Sequence, residues 1–119
     1  VVMVNADGRD VMVVLPSNRL LDLLKLRTAL GTEEVRVEDE REFVQLFPDC
    51  EAGAMPPLGS LYQVASYVDQ SLLEAPEIIF NAGTHRESLR ISTDAFKRIS
   101  DAEVGDYAAP AGVRLEEAS

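Results

Sequence analysis

Thirteen residues in the middle of the chain, Phe47 to Gly59, hold two glycines and three prolines and follow neither a helical nor a strand period. Proline fixes φ and removes a backbone donor, whereas glycine opens backbone angles that other residues avoid. Their combination favours a rigid, irregular backbone segment. A second irregular segment, Phe80 to His85, ends a β-rich run and carries the only histidine of the protein. On one small domain, two such segments can form a single pocket.

The bulk composition narrows the class of protein. A length of 119 residues predicts one domain with a single core, and 46% hydrophobic residues indicate a globular chain. Apolar runs such as Val11–Leu15 are too short to span a bilayer, and no secretory signal is evident, so we expect no membrane partner and a cytoplasmic location. With Cys50 alone there is no internal disulfide, and one cysteine with one histidine argues against a zinc site.

The formal net charge of −10 disfavours contact with a nucleic acid unless a local patch or a partner supplies the basic groups. Four basic residues near the histidine form such a patch only if they face one side: Arg86, Arg90, Lys97 and Arg98. The acidic run Glu33–Glu42 is interpreted as a solvated face, with docking of a basic partner as the alternative.

Local signals predict an α+β fold with a mixed sheet. Two β-branched runs flank the turn signal Asp7-Gly8 and predict a hairpin of Val1–Val4 with Val11–Leu15. The other expected elements are a helix from a Ser17 cap to a Gly31 stop, a strand over 35–37, a helix over 38–46, strands over 61–68, 77–81 and 88–91, and a Thr93-capped helix with Phe96 and Ile99 in the core. The apolar run at 78–80 indicates a central strand covered on both faces.

The ordered pieces resemble the YbaK/prolyl-tRNA-synthetase-associated family, whose members are aminoacyl-tRNA editing domains related to the insertion domain of bacterial prolyl-tRNA synthetase. The resemblance runs from about Val1 to about Ile99. It rests on the Gly53-x-x-Pro56 loop with Pro57 and Gly59, the strand end Val68-Asp69, and the turn Ala82-Gly83-Thr84-His85. It implies a mixed, mostly antiparallel, barrel-like sheet with flanking helices. We expect an editing domain over residues 1–100 that lacks its N-terminal segment, followed over 101–119 by a poorly ordered tail or a linker.

The resemblance implies hydrolysis, in trans, of the ester that links a wrong amino acid to a tRNA, such as alanine or cysteine on the tRNA for proline. Its implied partner is the tRNA 3′ end with its aminoacyl-adenosine, and an aminoacyl-tRNA synthetase or a fused domain is left open as a second partner. It also implies no metal, no cofactor and no covalent enzyme nucleophile, because water, a ribose hydroxyl or a substrate thiol attacks. We therefore interpret Cys50 as a small buried or half-buried hydrophobe.

The family's pocket loop maps onto Gly53, Ala54, Met55 and Pro56, where backbone N–H groups can hold a carbonyl oxygen as it becomes an oxyanion. Gly53 and His85 are the catalytic candidates, although a turn histidine satisfied by backbone groups is an equal alternative for His85. The substrate-binding candidates are Ala54, Met55, Pro56, Pro57, Gly59, Asp69, Phe80, Gly83 and Thr84. Among these, Asp69 is favoured as a cap of the next turn, and Met55 and Phe80 are expected to limit the pocket volume.

One departure from the family pattern lies at the start of the sequence. Family members commonly carry a lysine just before the strand that begins here at Val1, and the resemblance assigns to it a contact with the terminal ribose or phosphate of the substrate. Two hypotheses follow. The first is an editing hydrolase, and the second is a non-catalytic binding module within a larger, regulatory protein. A small-molecule pocket that kept the fold and lost the tRNA is a weaker third.

Overall fold

The computed structural model describes residues 1–51 and 53–110 and contains, in that part of the chain, two β-sheets. The strands are β1 (Val2–Ala6), β2 (Arg9–Val14), β3 (Val35–Val37), β4 (Ala65–Asp69), β5 (Glu77–Asn81), β6 (Ser88–Ser92) and β7 (Glu103–Gly105). The helices are α1 (Leu23–Leu30), α2 (Glu40–Phe43) and α3 (Thr93–Ser100), and short 3₁₀ turns cover Val44–Leu46, Gly59–Tyr62 and Gln70–Glu74. None of the helices in these ranges is long and apolar enough to cross a membrane.

The main sheet has the strand order β3-β1-β2-β4-β7. β1 pairs antiparallel with β2 and with β3, whereas β4 runs parallel to both β2 and β7. β5 and β6 form a separate antiparallel ribbon. The predicted α+β class with a mixed sheet is confirmed, and the main sheet has two antiparallel and two parallel pairings. The barrel-like shape is not confirmed, because β3 and β7 stay at opposite edges of the described sheet and leave it open.

The N-terminal hairpin follows its turn signal. Asp7 and Gly8 both have positive φ, 49° and 87°, which is the backbone that a two-residue hairpin turn requires. The carboxylate of Asp7 also accepts hydrogen bonds from the N–H groups of Glu33 and Glu34. The turn of the hairpin is thereby tied to the chain that leads into β3.

Helix α1 begins later than predicted. Its cap is Asp22, whose side chain accepts hydrogen bonds from Leu24 and Lys25, and not Ser17. The helix ends where expected, because Gly31 adopts the left-handed conformation with φ of 67°. The residues between the end of β2 and Asp22 therefore form an irregular segment, which becomes one wall of the cleft described below.

The two faces of the main sheet carry different cores, because successive side chains along a strand point to opposite faces. On one face, Val4, Val11 and Val13 pack with Leu26 of α1. On the other face, the buried cluster consists of Met3, Met12, Val14, Phe47, Met55, Val64, Val68, Ile78 and Phe96. This second core includes residues of the proline-rich loop and of β5, and so it holds both against the sheet.

The acidic run Glu33–Glu42 leads into a shorter helix than predicted, and not all of its acidic side chains are exposed. α2 is capped by Asp39 in a capping box with Glu42 and continues as a 3₁₀ turn. Glu33 and Glu34 are exposed, as expected for a solvated face. Glu38 is instead only 6% exposed and lies beside Asp10, and burial followed by the hydrogen bond and the charge of Asp10 raises its pKa to about 7.

Several expectations for the second half of the chain were wrong. β4 starts at Ala65, since a 3₁₀ turn occupies the residues before it. β5 has the predicted bounds but lies in a two-stranded ribbon, where Ile79 is 62% exposed instead of covered. α3 is capped by Ser92 rather than Thr93, and it buries Phe96 but leaves Ile99 52% exposed.

The chain beyond α3, expected to be poorly ordered, has regular contacts as far as residue 109. β7 pairs with β4, and Tyr107, Ala108 and Ala109 are buried. The carboxylate of Asp69 accepts hydrogen bonds from the N–H groups of Tyr107 and Ala108 at 2.7 and 2.9 Å. Local sequence signals gave no hint of these long-range bonds. The remainder of the predicted tail, residues 111–119, lies outside the described residues.

Candidate functional site

The proline-rich loop and the histidine turn are joined by backbone hydrogen bonds. The N–H of Gly83 donates to the carbonyl oxygen of Ala54 at 2.9 Å, and the Gly83 carbonyl accepts from the N–H of Glu51 at 2.7 Å. The carboxylate of Glu51 in turn accepts from the N–H of His85 at 2.9 Å. These bonds fix the two irregular segments against each other.

Gly53 and His85 are direct neighbours across this junction. Gly53 is exposed and has φ of +80°, a conformation that favours glycine. A Cβ placed on Gly53 would lie 3.5 Å from Cε1 and 3.9 Å from Nε2 of His85. The imidazole ring therefore lies next to the Gly53 backbone. The turn keeps its shape because the Thr84 hydroxyl accepts a bond from the N–H of Glu87 at 3.1 Å.

A cleft of about 600 Å³ opens beside Gly53, between β5 and the segment that follows β2. It is lined by Val1, Val14, Leu15, Pro16, Ser17, Asn18, Gly53, Met55, Pro57, Leu72, Ile78, Ile79, Phe80 and Asn81. None of these lining residues has a charged side chain, and the polar ones are Ser17, Asn18 and Asn81. Mostly apolar residue types together with exposed backbone groups and a few polar side chains are typical of a site for a small, uncharged ligand group.

The cleft contains four of the residues predicted from the sequence: Gly53, Met55, Pro57 and Phe80. Three other predicted residues do not line the cleft and are buried instead. Ala54 and Gly83 are buried and bonded to each other, and Pro56 is buried between the lining residues Met55 and Pro57.

Gly59 and Asp69 lie outside the cleft lining. A Cβ on Gly59 would come within 2.1 Å of the Ser66 hydroxyl oxygen and 2.6 Å of the Val64 carbonyl oxygen, so close packing requires glycine there. Asp69 is 1% exposed, and it caps the following 3₁₀ turn by accepting from the N–H of Ser71. Both residues have structural roles here, and for Asp69 it is the role that the sequence favoured.

The side chain of Cys50 has a packing role within the proline-rich loop. Its sulfur lies 3.3 Å from the hydroxyl oxygen of Tyr62, and the side chain is half-buried against the core. The hydrogen bond with Cys50, together with burial, raises the pKa of Tyr62 to about 12. This position agrees with a packing role and not with a nucleophile at the cleft.

Sequence reasoning missed one wall of the cleft, the segment Leu15–Asn18. It assigned Leu15 to a strand and Ser17 to a helix cap, which left no residues for a wall. A signal was present, because Pro16-Ser17-Asn18 has the composition of a turn. Asn81 was also passed over, although it lies inside the predicted FNAGTH segment.

The sequence model of the aminoacyl-tRNA editing domain matches residues 1–99. The chain belongs to the aminoacyl-tRNA editing domain family. The resemblance predicted from the Gly53–Gly59 loop and the Ala82–His85 turn is therefore confirmed. Aminoacyl-tRNA editing is the general function of the family, and tRNA is the partner that the family implies. No curated protein matches the chain.

Three solved structures share the fold of this editing domain, each at 23% sequence identity. They are the hypothetical protein APE2540, a candidate signal transduction protein from Marinobacter aquaeolei VT8, and a candidate trans-editing enzyme for prolyl-tRNA synthetase, with TM-scores of 0.80, 0.78 and 0.79. The matches cover 91%, 92% and 92% of this chain and 71%, 24% and 68% of the respective structures. At this identity the likeness demonstrates the shared fold alone.

Proposed function

We propose that this domain hydrolyses, in trans and in the cytoplasm, the ester bond of a tRNA that carries the wrong amino acid. Family membership gives the reaction class. The observation that carries the proposal is the junction of Gly53 and His85 beside an uncharged cleft. An irregular backbone segment held by hydrogen bonds, an exposed histidine and a cleft of suitable size are thereby brought to one place.

The loop supplies the groups that stabilise the developing charge. When the ester carbonyl is attacked, its oxygen becomes an oxyanion, and fixed backbone donors stabilise that charge better than mobile water does. The N–H of Ala54 already donates to the carbonyl of Glu51. The N–H groups of Gly53 and Met55, both in the cleft lining, are therefore the donors that we assign to the oxyanion.

His85 is the group that we assign to the attacking water. Its ring lies beside Gly53, where the scissile ester would rest, and an imidazole can accept the proton that water loses on attack. The tetrahedral intermediate then collapses, the ester C–O bond breaks, and the ribose oxygen leaves with a proton as a hydroxyl. No bond to the enzyme forms, and Cys50 lies under the loop, next to Tyr62.

The cleft lining favours an amino acid with a small, uncharged side chain. No lining residue has a charged side chain that could pair with an acidic or basic substrate, and Met55 and Phe80 occupy part of the volume. Alanine and cysteine on the tRNA for proline fit this description. Discrimination by volume is modest, since one methylene is worth about 1–3 kcal/mol.

Deacylation of one tRNA carrying different amino acids tests this substrate class. We expect alanyl and cysteinyl esters to be hydrolysed faster than aspartyl and lysyl esters on the same tRNA. Equal hydrolysis of all four would show that the cleft does not select the side chain.

The second candidate is a non-catalytic binding module within a larger protein. It is favoured by the Marinobacter aquaeolei VT8 structure, in which the matching fold accounts for 24% of the chain. On this hypothesis the cleft binds an aminoacyl-adenosine without turnover. Binding of alanyl-tRNA with no hydrolysis above the spontaneous rate would establish it.

A further inference from the structure

The cleft has no side chain that could neutralise the phosphate charges of a bound tRNA. The 3′ end of a tRNA brings a phosphate with every nucleotide, and such phosphates are usually held by lysine and arginine. The cleft lining has no charged side chain, and the whole chain has a net charge of −10. Phosphates of a bound tRNA must therefore meet basic groups outside the cleft but close to its rim.

The outer face of the β5–β6 ribbon adjoins that rim. In the ribbon register, Ile78 lies opposite Ile91 and Ile79 lies opposite Arg90. Ile78 is buried in the core, so the alternation along the strands directs Ile79 and Arg90 to the outer face, where both are exposed. Ile79 also lines the cleft, and Arg90 is thus the direct cross-strand neighbour of a cleft residue.

A second exposed arginine lies at the turn of the same ribbon. Arg86 follows His85, whose ring lies next to Gly53. Arg90 thus lies on the outer face beside the cleft, and Arg86 lies in the exposed turn at the end of the ribbon, beside the candidate catalytic junction. Two acidic residues adjoin these arginines: Glu87 follows Arg86 in the turn, and Glu77, opposite Ser92, lies two residues from Ile79 on the same face.

The charge of this region differs from that of the rest of the chain. The ribbon with its turn, residues 77–92, has two arginines and two glutamates and so a net charge of zero, whereas the net charge of −10 lies entirely on the rest of the chain. Within residues 1–51 and 53–110, the ion pairs involve neither Arg86 nor Arg90. Their guanidinium groups are accordingly available to an external anion.

The other basic stretch of the chain is engaged internally. Arg19 donates two hydrogen bonds to the carbonyl oxygen of Ala109, and Lys25 pairs with Asp106 and donates to the carbonyl of Ala108. These side chains hold the segment after β7 in place. Arg27, by contrast, is exposed on α1, which packs on the opposite face of the main sheet, and it provides a control position.

We propose that the outer face of the β5–β6 ribbon, with Arg90, Arg86 and the exposed side chain of Ile79, binds the single-stranded 3′ end of the tRNA while its aminoacyl group occupies the cleft. This proposal rests on the proposed function. Arg90 and Arg86 contact phosphates, and Ile79 offers an apolar surface to the terminal nucleotides. They are binding residues and take no part in the chemical step.

The test is equilibrium binding of a tRNA for proline whose alanine is attached through a non-hydrolysable 3′-amide, measured over a series of salt concentrations. We expect Arg90→Glu to weaken binding at least tenfold and Arg86→Glu to weaken it by a smaller factor. Both should reduce the slope of log K against log salt, because each removes a phosphate contact. Arg27→Glu, an equal change of charge on the opposite face, should bind like the wild type.

Three results would overturn the proposal: equal affinities for wild type and Arg90→Glu, an equal loss in Arg27→Glu, or no binding by the wild type. Failure of this surface proposal is distinguished from failure of the proposed function by two hydrolysis assays. One uses ester-linked alanyl-tRNA, and the other uses a small 3′-alanyl-adenosine ester. If the wild type binds the amide-linked tRNA and hydrolyses neither ester, the proposed function fails while the surface stands. If the wild type hydrolyses both esters, the Arg90→Glu variant must lose at least tenfold more kcat/KM with alanyl-tRNA than with the small ester.

Discussion

The carbonyl oxygen of Ala54 accepts a hydrogen bond of 2.9 Å from the N–H of Gly83, and this bond joins the proline-rich loop to the turn that carries the only histidine. Since the bond is between backbone groups, it survives side-chain substitutions on either segment. Gly53 and His85, one residue before and two residues after this pair, are brought together as a consequence. The predictions below use this rigidity, because they assume that variants at the site keep the backbone in place.

His85→Ala should lower deacylation without unfolding the domain. The side chain is exposed, and the turn is held by backbone bonds and by the Thr84 hydroxyl, so we expect the melting temperature to stay within about 2 °C. The rate constant kcat should fall by about 100-fold or more, the usual contribution of a general base, and the loop donors assigned to the oxyanion should leave residual activity. Single-turnover kinetics would measure it, and an unchanged rate would remove His85 from the chemical step.

Met55→Ala should relax the choice of amino acid. Met55 is nearly buried and lines the cleft, so its truncation enlarges the space for the substrate side chain. We expect the ratio of kcat/KM for alanyl over larger aminoacyl esters to fall by about 10-fold or more, in line with about 1–3 kcal/mol per methylene. If the ratio stays constant while both rates fall, Met55 supports the loop and does not select the substrate.

Asp69→Ala should destabilise the fold while leaving folded molecules active. Its buried carboxylate accepts bonds from Ser71, Tyr107 and Ala108, and their loss should cost about 3 kcal/mol in the free energy of unfolding. Burial alone would raise the Asp69 pKa, but these bonds outweigh it and lower the pKa below its usual range. The stabilisation is accordingly present at neutral pH and is lost only as the pH falls through the lowered pKa. Urea denaturation measures the loss in the free energy of unfolding.

Activity per folded molecule of Asp69→Ala completes this test. Normal activity in the folded fraction is expected because Asp69 is not part of the cleft lining. A large loss of kcat/KM at unchanged stability would instead return Asp69 to the substrate site.

Glu38 should make the fold less stable as the pH rises from about 5 to 8. Its folded pKa is raised to about 7 by burial and by Asp10, with a smaller contribution from the charge of Glu42. The folded state then binds more protons than the unfolded state, so the stabilisation is complete below the unfolded pKa and is lost as the pH passes about 7. Glu38→Gln should remove about 1–3 kcal/mol of this pH dependence. Parallel stability curves for the two proteins would show that Glu38 titrates normally.

The parts of the fold that sequence predicted well are those with a local cause. Asp7-Gly8 and Gly31 need positive φ, and the turn and the helix end were found at these residues. The cap of α1 was missed because Ser17 and Asp22 are both acceptable caps, and the choice depends on where Leu26 can pack against Val4 and Val13.

The parts that could not be predicted depend on contacts between distant residues. β7 has three residues and no strong strand signal, and it forms because β4 offers an edge and Asp69 binds the chain that follows. The exposure of Ile79 also depends on distant contacts, because an apolar run of this length fits a two-stranded ribbon as well as the centre of a sheet. For the site, the loop and the turn were evident from composition, whereas the Leu15–Asn18 wall depended on the true start of α1.

The most direct test of the account is deacylation of alanyl- and cysteinyl-tRNA for proline by the wild type, by Gly53→Val and by Gly31→Val. Gly53 and Gly31 both have positive φ, so both variants carry similar backbone strain, but only a side chain at Gly53 enters the junction with His85. The account predicts hydrolysis by the wild type and by Gly31→Val, and loss of at least 10-fold in Gly53→Val. Hydrolysis by Gly53→Val at the wild-type rate, or none above the spontaneous rate by the wild type, would contradict it.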